Sequence, residues 1–287
     1  MKQLALLISF FFYLSILPLM AQDGKNEDWS INEGTMVGAG RMHLMDTYLT
    51  PGIDINYSGW TLRIMDERLK RVKLANYNVT RQQIVSIDGG RTTNPSGSAI
   101  DYAFFLDYTL GYYYHFPVMP GLKLLAGSSG HLLGGCIYNT RNTNNPVSAK
   151  ADIDLNLSGM AIYNLRIKNY PITFRYQLTV PFAGVSFAPH YNQSYYEMFG
   201  LGNHSGMVQF NSFHNKFAMK HYITADFPVG KLTIRMGYLN SRYQTDMNSI
   251  DSHIITHTFM LGFVKEFVSF GGKRAMNNKH TYKSTYY

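Results

Sequence analysis

Between Lys150 and Phe187 apolar and polar residues alternate along two successive segments. In the first, Ala151, Ile153, Leu155, Leu157, Gly159, Ala161, Tyr163, Leu165 and Ile167 occupy one set of alternate positions. Asp152, Asp154, Asn156, Ser158, Met160, Ile162, Asn164 and Arg166 occupy the other. A strand sends successive side chains to opposite faces, and only a period of two sorts the residues this cleanly. After the turn sequence Lys168-Asn169-Tyr170-Pro171, Ile172, Phe174, Tyr176, Leu178 and Val180 resume one face, and Thr173, Arg175, Gln177 and Thr179 the other. The spacing predicts a long β-hairpin with one apolar and one polar face.

What meets the apolar face is a question of composition. Aromatic residues make up 15% of the chain, with 22 tyrosines, yet charged residues are also only 15%. Soluble domains carry about 25% charged residues. Beyond the N-terminus no run of about 20 apolar residues marks a transmembrane helix. Low charge and abundant tyrosine without long apolar blocks suit strands that cross a bilayer, because only every second residue meets lipid.

The N-terminus reads as an address. Met1-Lys2-Gln3 precedes the apolar run LALLISFFFYLSILPL, and Leu19 and Ala21 stand at the positions a signal peptidase reads. A secretory signal peptide over residues 1–21 is expected, the alternative being an N-terminal membrane anchor. Cys136 is the single cysteine, which excludes an intrachain disulfide and a cysteine-based zinc site. The formal net charge of +8 is dispersed, apart from Lys273, Arg274, Lys279 and Lys283 near the end. No nucleic-acid recognition motif accompanies it, so nucleic acid is not an expected partner.

Further strands are predicted at Thr35–Leu44, Ile55–Arg68, Val79–Ile87, Asp101–Phe116, Leu122–Tyr138, Phe213–Phe227, Lys231–Arg242 and His253–Phe267. In the fourth, Tyr102, Phe104, Leu106, Tyr108, Leu110, Tyr112, Tyr114 and Phe116 share a face. The charged run Asp66 to Lys73 reads as a solvated strand end or turn, and Asp88-Gly89-Gly90 as the start of a loop. Connections at 117–121, 168–171 and 228–230 are short, whereas those at 139–149, 188–206 and 244–251 are longer and polar. Short turns on one side and long loops on the other characterise outer-membrane barrels, whose turns lie in the periplasm. The fold class expected is all-β, an antiparallel transmembrane β-barrel of about ten strands, or twelve if the 188–206 connection folds a hairpin. Closure satisfies backbone groups that lipid cannot. A secreted β-sandwich would leave the apolar face of the fourth strand as an unexplained patch. The expected layout is a periplasmic lead-in at 22–33, a barrel at 34–268 and a basic periplasmic tail at 269–287. Both termini are then periplasmic, with outer-membrane lipids and the barrel assembly machinery as partners.

The motifs YYYHFPVMPGLKLLAG, IYNTRNTNNP, SAKADIDLNLSGMAIYNLRIKNYPITFRYQLTVP and APHYNQSYYEMFGLGN are specific, and FNSFHNKFAMKHYITADFPVGKLTIRMGYLNSR and SHIITHTFMLGFVKEF join them. Over roughly Gly34 to Phe267 the chain resembles an outer-membrane barrel family of anaerobic Gram-negative bacteria, known only as a domain of unknown function. The resemblance implies an outer-membrane location and brings no activity. Outer-membrane strands commonly stop at a terminal aromatic, whereas this chain continues past Phe267 to Tyr287.

The polar face predicts a lumen lined by Asp101, Asp107, Asp152, Asp154, Asn156, Arg166, Arg175, Gln177, Lys220, Asp226 and Arg235. Opposite charges there either seal the barrel or line a narrow, porin-like path for small polar solutes. An outer-leaflet lipid hydrolase would need a nucleophile beside a base. His204-Ser205 in the longest connection offers one pair, with Glu197 and Asn203 near in sequence. Neighbours on a strand point apart, so Ser212 and His214, two residues apart, have the better spacing. His253 and His257 lie over ~13 Å apart along a strand and cannot chelate one ion, so neither metal nor cofactor is expected. The expected function is a structural or interaction component of the envelope, with the channel and the hydrolase as alternatives.

Overall fold

The computed structural model describes residues 31–168, 170–230 and 232–267. The expected signal peptide and basic tail lie outside them, as does most of the lead-in. Among the described residues are eleven strands: β1 (Ile31–Asp46), β2 (Tyr57–Val72), β3 (Val79–Thr93), β4 (Ile100–Met119), β5 (Leu122–Asn139), β6 (Val147–Ile167), β7 (Tyr170–Phe187), β8 (Val208–Ser212), β9 (Lys216–Val229), β10 (Leu232–Met247) and β11 (Ile250–Phe267). Ten of them close an antiparallel barrel, in which each strand pairs with the next and β7 passes over β8 to pair with β9. Closure is made by β1 and β11, paired from Ile31↔Phe267 to Asp46↔Ser252. The short β8 pairs with the upper stretch of β7, from Ala183↔Ser212 to Phe187↔Val208.

Alternation sorts the side chains as a membrane requires. On β6, Leu155 and Leu157 are each 55% exposed, while Asp154 and Asn156 between and beside them are 2% and 4% exposed. On β4, Tyr102, Phe104, Leu106, Tyr112, Tyr114 and Phe116 face outward and Asp101, Ala103, Phe105, Asp107 and Tyr113 inward. No described helix is long and apolar enough to cross a membrane, and the outward apolar belt of strands takes that role.

Several boundaries differ from expectation. The charged run from Asp66 is not a solvated turn: β2 runs on to Val72 and keeps its alternation through Leu69, with Glu67 and Leu69 buried and Arg68 exposed. Asp88, Gly89 and Gly90 belong to β3 rather than to a loop, because Asp88 pairs inward with Arg63 of the facing strand. The connection expected at 244–251 shrinks to Asn248-Ser249, both with positive φ, since β10 and β11 pair as far as Met247↔Ile250. The 188–206 connection holds no hairpin. It contains one wide helical turn, Tyr196–Gly200, so the closed barrel has ten strands rather than twelve.

Candidate functional site

The lumen is filled in layers. Near the end that carries the short turns, Glu67 on β2 points to the axis and is fully buried. Arg175 on β7 donates two hydrogen bonds to its two oxygens, each 2.7 Å, and Arg235 on β10 adds a third at 2.8 Å. Gln82 on β3 donates to the same carboxylate at 2.5 Å. Arg235 then holds Asp226 on β9 through two bonds of 2.7 Å. Gln82 and Gln177 exchange amide hydrogen bonds of 2.9 Å, and Gln177 donates to the Tyr113 hydroxyl at 3.3 Å. The Arg175 guanidinium lies 4.6 Å from the centre of the Tyr222 ring. Two carboxylates meet two guanidiniums here, so the charges cancel where burial would otherwise be prohibitive. Met36, Leu69, Leu125, Met160 and Ile162 pack around this layer.

Above it the lumen holds a cavity of about 700 Å³, open space at its mouth included. His131 on β5 lies between two carboxylates, with Nε2 2.8 Å from Asp107 and Nδ1 3.2 Å from Asp154. Only a doubly protonated ring donates to both. Lys216 on β9 bonds Asp154 at 2.8 and 2.9 Å and lies 3.4 Å from Asp152. Lys220 pairs with Asp107, and Arg63 with Asp88. Met42, Phe105, Leu133 and Ile254 supply apolar wall. Among the described residues, no group of three or more His, Cys, Asp or Glu is placed to hold a metal ion.

At the other end the loops close the mouth. Asp46 pairs with Lys150 at 2.8 Å and accepts bonds from Ser148 at 2.9 Å and the Tyr48 amide at 3.0 Å. The Tyr48 hydroxyl donates to the carbonyl of Gln193 at 2.8 Å, and the Tyr195 hydroxyl accepts from the Ala149 amide at 2.7 Å. Burial raises both phenols above the usual tyrosine range; Tyr195 and Asp46 add to the rise at Tyr48. Leu44, Leu49, Tyr57, Phe105 and Ile137 pack under them as an apolar lid. On the outer side of this loop Glu197 accepts the Ser194 amide at 2.7 Å and its hydroxyl at 3.0 Å, and these bonds hold its carboxyl below the usual range.

Of the residues expected to line the lumen, Asp101, Asp107, Asp152, Asp154, Asn156, Arg175, Gln177, Asp226 and Arg235 are buried inside, and Lys220 is half-buried against Asp107. Arg166 needs correction: it sits at the exposed end of β6, where the strand has run past the barrel interior. His204 and Ser205 do not meet. The His204 ring lies 6.4 Å from Phe199, and the Ser205 carbonyl accepts from His190 at 3.0 Å. Ser212 and His214 do meet, with Oγ 2.6 Å from Nδ1. They do so across the turn between β8 and β9 rather than along one strand face. His214 stacks on Phe210 at 6.3 Å, and among the described residues no carboxylate orients it. Sequence reasoning missed Glu67, Asp88, Arg63, His131 and Lys216 as members of the network. Extending the period of two from Thr61 and Arg63 through Met65 would have turned Glu67 inward.

A closed barrel with an apolar exterior and a charged, filled interior has the architecture of an outer-membrane protein. Among solved structures the chain is similar to the outer-membrane protease OmpT from Escherichia coli, at 8% identity, 86% of this chain, 99% of that one and a TM-score of 0.47. It is also similar to the transport unit of the autotransporter AIDA-I from Escherichia coli, at 10% identity, 91% and 98% coverage and a TM-score of 0.46. The β domain of the Bordetella autotransporter BrkA matches at 9% identity, 83% and 100% coverage and a TM-score of 0.40. These are likenesses of barrel to barrel and extend to nothing of activity. No curated protein matches the chain. The family model described as protein of unknown function, DUF3316, matches residues 3–274, and the chain belongs to that family.

Proposed function

We propose that this protein is a sealed outer-membrane barrel that serves the envelope as a structural or interaction component, presenting its loops on the outer face. The observation that carries the reading is the Glu67 layer. Four charged side chains from β2, β7, β9 and β10 meet at the axis, fully buried, with their charges paired. A solute crossing there would have to pull both guanidiniums away from Glu67. Ile31 and Phe267 pair at the end of the short turns, which supports a periplasmic side for both termini and assembly by the barrel machinery. Planar-bilayer recording tests it: the purified protein is expected to give no discrete openings at any voltage, and steady single-channel steps would replace this reading with the channel.

The 2.6 Å contact between Ser212 and His214, exposed beside Phe210, supports a lipid hydrolase as the second reading. Fatty-acid release from phospholipid vesicles by the wild type and by Ser212→Ala decides it. Equal rates end the hydrolase reading; loss of release in the variant would establish it.

A further inference from the structure

We propose that the barrel wall is open sideways between β7 and β9, and that this port admits a single-chain amphiphile with an anionic head into the cavity above the Glu67 layer. The proposal rests on the wall facing lipid, as the proposed function has it. It differs in what it adds, a binding site entered from the side and closed below.

The backbone shows the gap. β7 pairs with β9 from Thr173↔Asp226 to Thr179↔Lys220, then changes partner and pairs with β8 from Ala183↔Ser212. Between these ladders the stretch 180–182 faces the stretch 213–219 with no pair across the seam. Pro181 has no N–H to offer, and on the other side of β7 the register with β6 shifts at the same level, between Leu155 and Asn156. By contrast the β1–β11 seam is paired along its whole length. Alternation fails here too: every residue from Leu178 to Gly184 and from Ala218 to His221 is half-buried.

The cavity reaches the wall at this level. It is lined by the inward Lys216, Ala218 and Lys220, but also by Met219 and Arg242, which pair with each other in register on the outer face. Unpaired backbone in hydrocarbon costs several kcal/mol per group, and irregular backbone persists at membrane depth only where it is buried in protein or lines a wet cavity. A port with a cavity behind it meets that condition.

The lining indicates the guest. Apolar wall from Met42, Phe105, Leu133 and Ile254 suits a hydrocarbon chain. Inside, Lys216 and Lys220 are already held by Asp154 and Asp107. Arg242 at the mouth is exposed and has no carboxylate partner among the described residues, so it is the cation available to an anionic head. Phe210, Phe213 and Phe217 are exposed on the outer face of the strands that flank the opening.

Single cysteines test the port and its guest, in full-length protein carrying Cys136→Ser and reconstituted in phosphatidylethanolamine/phosphatidylglycerol vesicles. A lipid-partitioning N-alkyl maleimide should label Phe217→Cys on the lipid face and Ala218→Cys behind the port at similar rates. Thr224→Cys, inward on the paired part of the β7–β9 ladder, should react about tenfold or more slowly. Thr179→Cys, on the same cavity, stands in if Ala218→Cys does not fold. Protection of the cavity cysteine equal to that of Thr224→Cys, with Phe217→Cys reactive, overturns the port. An unreactive Phe217→Cys removes the lipid-facing wall and the port with it. Dodecanoate at twice its Kd should slow the cavity cysteine about threefold, dodecanol should not, and Arg242→Gln should abolish the effect. Equal protection by dodecanol, no protection by dodecanoate, or indifference to Arg242→Gln overturns the anionic amphiphile.

Discussion

Glu67 shows how much one inward carboxylate can hold. It is reached by Arg175, Arg235 and Gln82, and all four side chains are buried. An exposed ion pair such as Arg68–Glu33 is worth ~1 kcal/mol or less. A buried pair behaves differently when broken, because the remaining charge has neither water nor partner. Glu67→Gln keeps the shape and leaves two guanidiniums facing a neutral amide. It is expected to destabilise the barrel by ~3–5 kcal/mol, read as a lowered urea midpoint for unfolding from lipid vesicles; an unchanged midpoint would remove the layer as a structural keystone. At this scale the sequence was only partly legible. Arg175, Asp226 and Arg235 were readable from alternation within clean strands. Glu67 was not, because its outward neighbours Asp66, Arg68 and Lys70 made the segment look solvated on both faces.

Among the elements, β5, expected at Leu122–Tyr138 and found at Leu122–Asn139, shows why a barrel strand can carry a faint alternation. Its inward face includes Gly127, where a Cβ would meet the Tyr112 carbonyl oxygen and the Tyr113 Cα of β4. The two backbones approach too closely there for any other residue, and the same glycines that permit the approach dilute the hydrophobic period. Gly127→Ala is expected to cost ~1–3 kcal/mol through forced separation of β4 and β5, visible as a lower temperature for the heat-modifiable gel shift. The 188–207 loop makes a second prediction. Hydrogen bonds from Ser194 favour ionised Glu197, so its folded pKa lies below the unfolded one. That contribution is present above the unfolded value and is lost as pH falls through the folded value. The Ser194 amide resonance in micelles should therefore titrate with a midpoint below the ordinary glutamate value of about 4.3, and Glu197→Gln should flatten the curve. Sequence spacing showed this connection to be long, but nothing in it told that Tyr195 would reach down to Ala149.

For the whole molecule the stacked layers decide whether anything crosses. The Tyr48–Asp46 lid, the cavity with His131, and the Glu67 layer follow one another along the axis. Removing one member should leave the rest to collapse inward. Removing the layer should open it: Glu67→Ser with Arg175→Ser and Arg235→Ser, which takes two cations with one anion, is expected to produce discrete conductance steps that the wild type lacks. A triple variant that folds, by its gel shift, and stays silent would place the seal in the lid instead.

By itself the sequence determined the class of object. A period of two repeated over so many segments, with tyrosine-rich apolar faces and scarce charge, leaves a membrane-spanning barrel as the fold that satisfies both lipid and backbone. It also determined which way most strands face, since that follows from local alternation. Only the tertiary structure decided which charges meet. Glu67 and Arg235 are far apart in the chain and come together because ten strands of staggered register bring distant inward positions to one level. The same holds for the β7–β9 seam: Pro181 is visible in the sequence, but the gap exists because β8 and β9 divide one side of β7 between them.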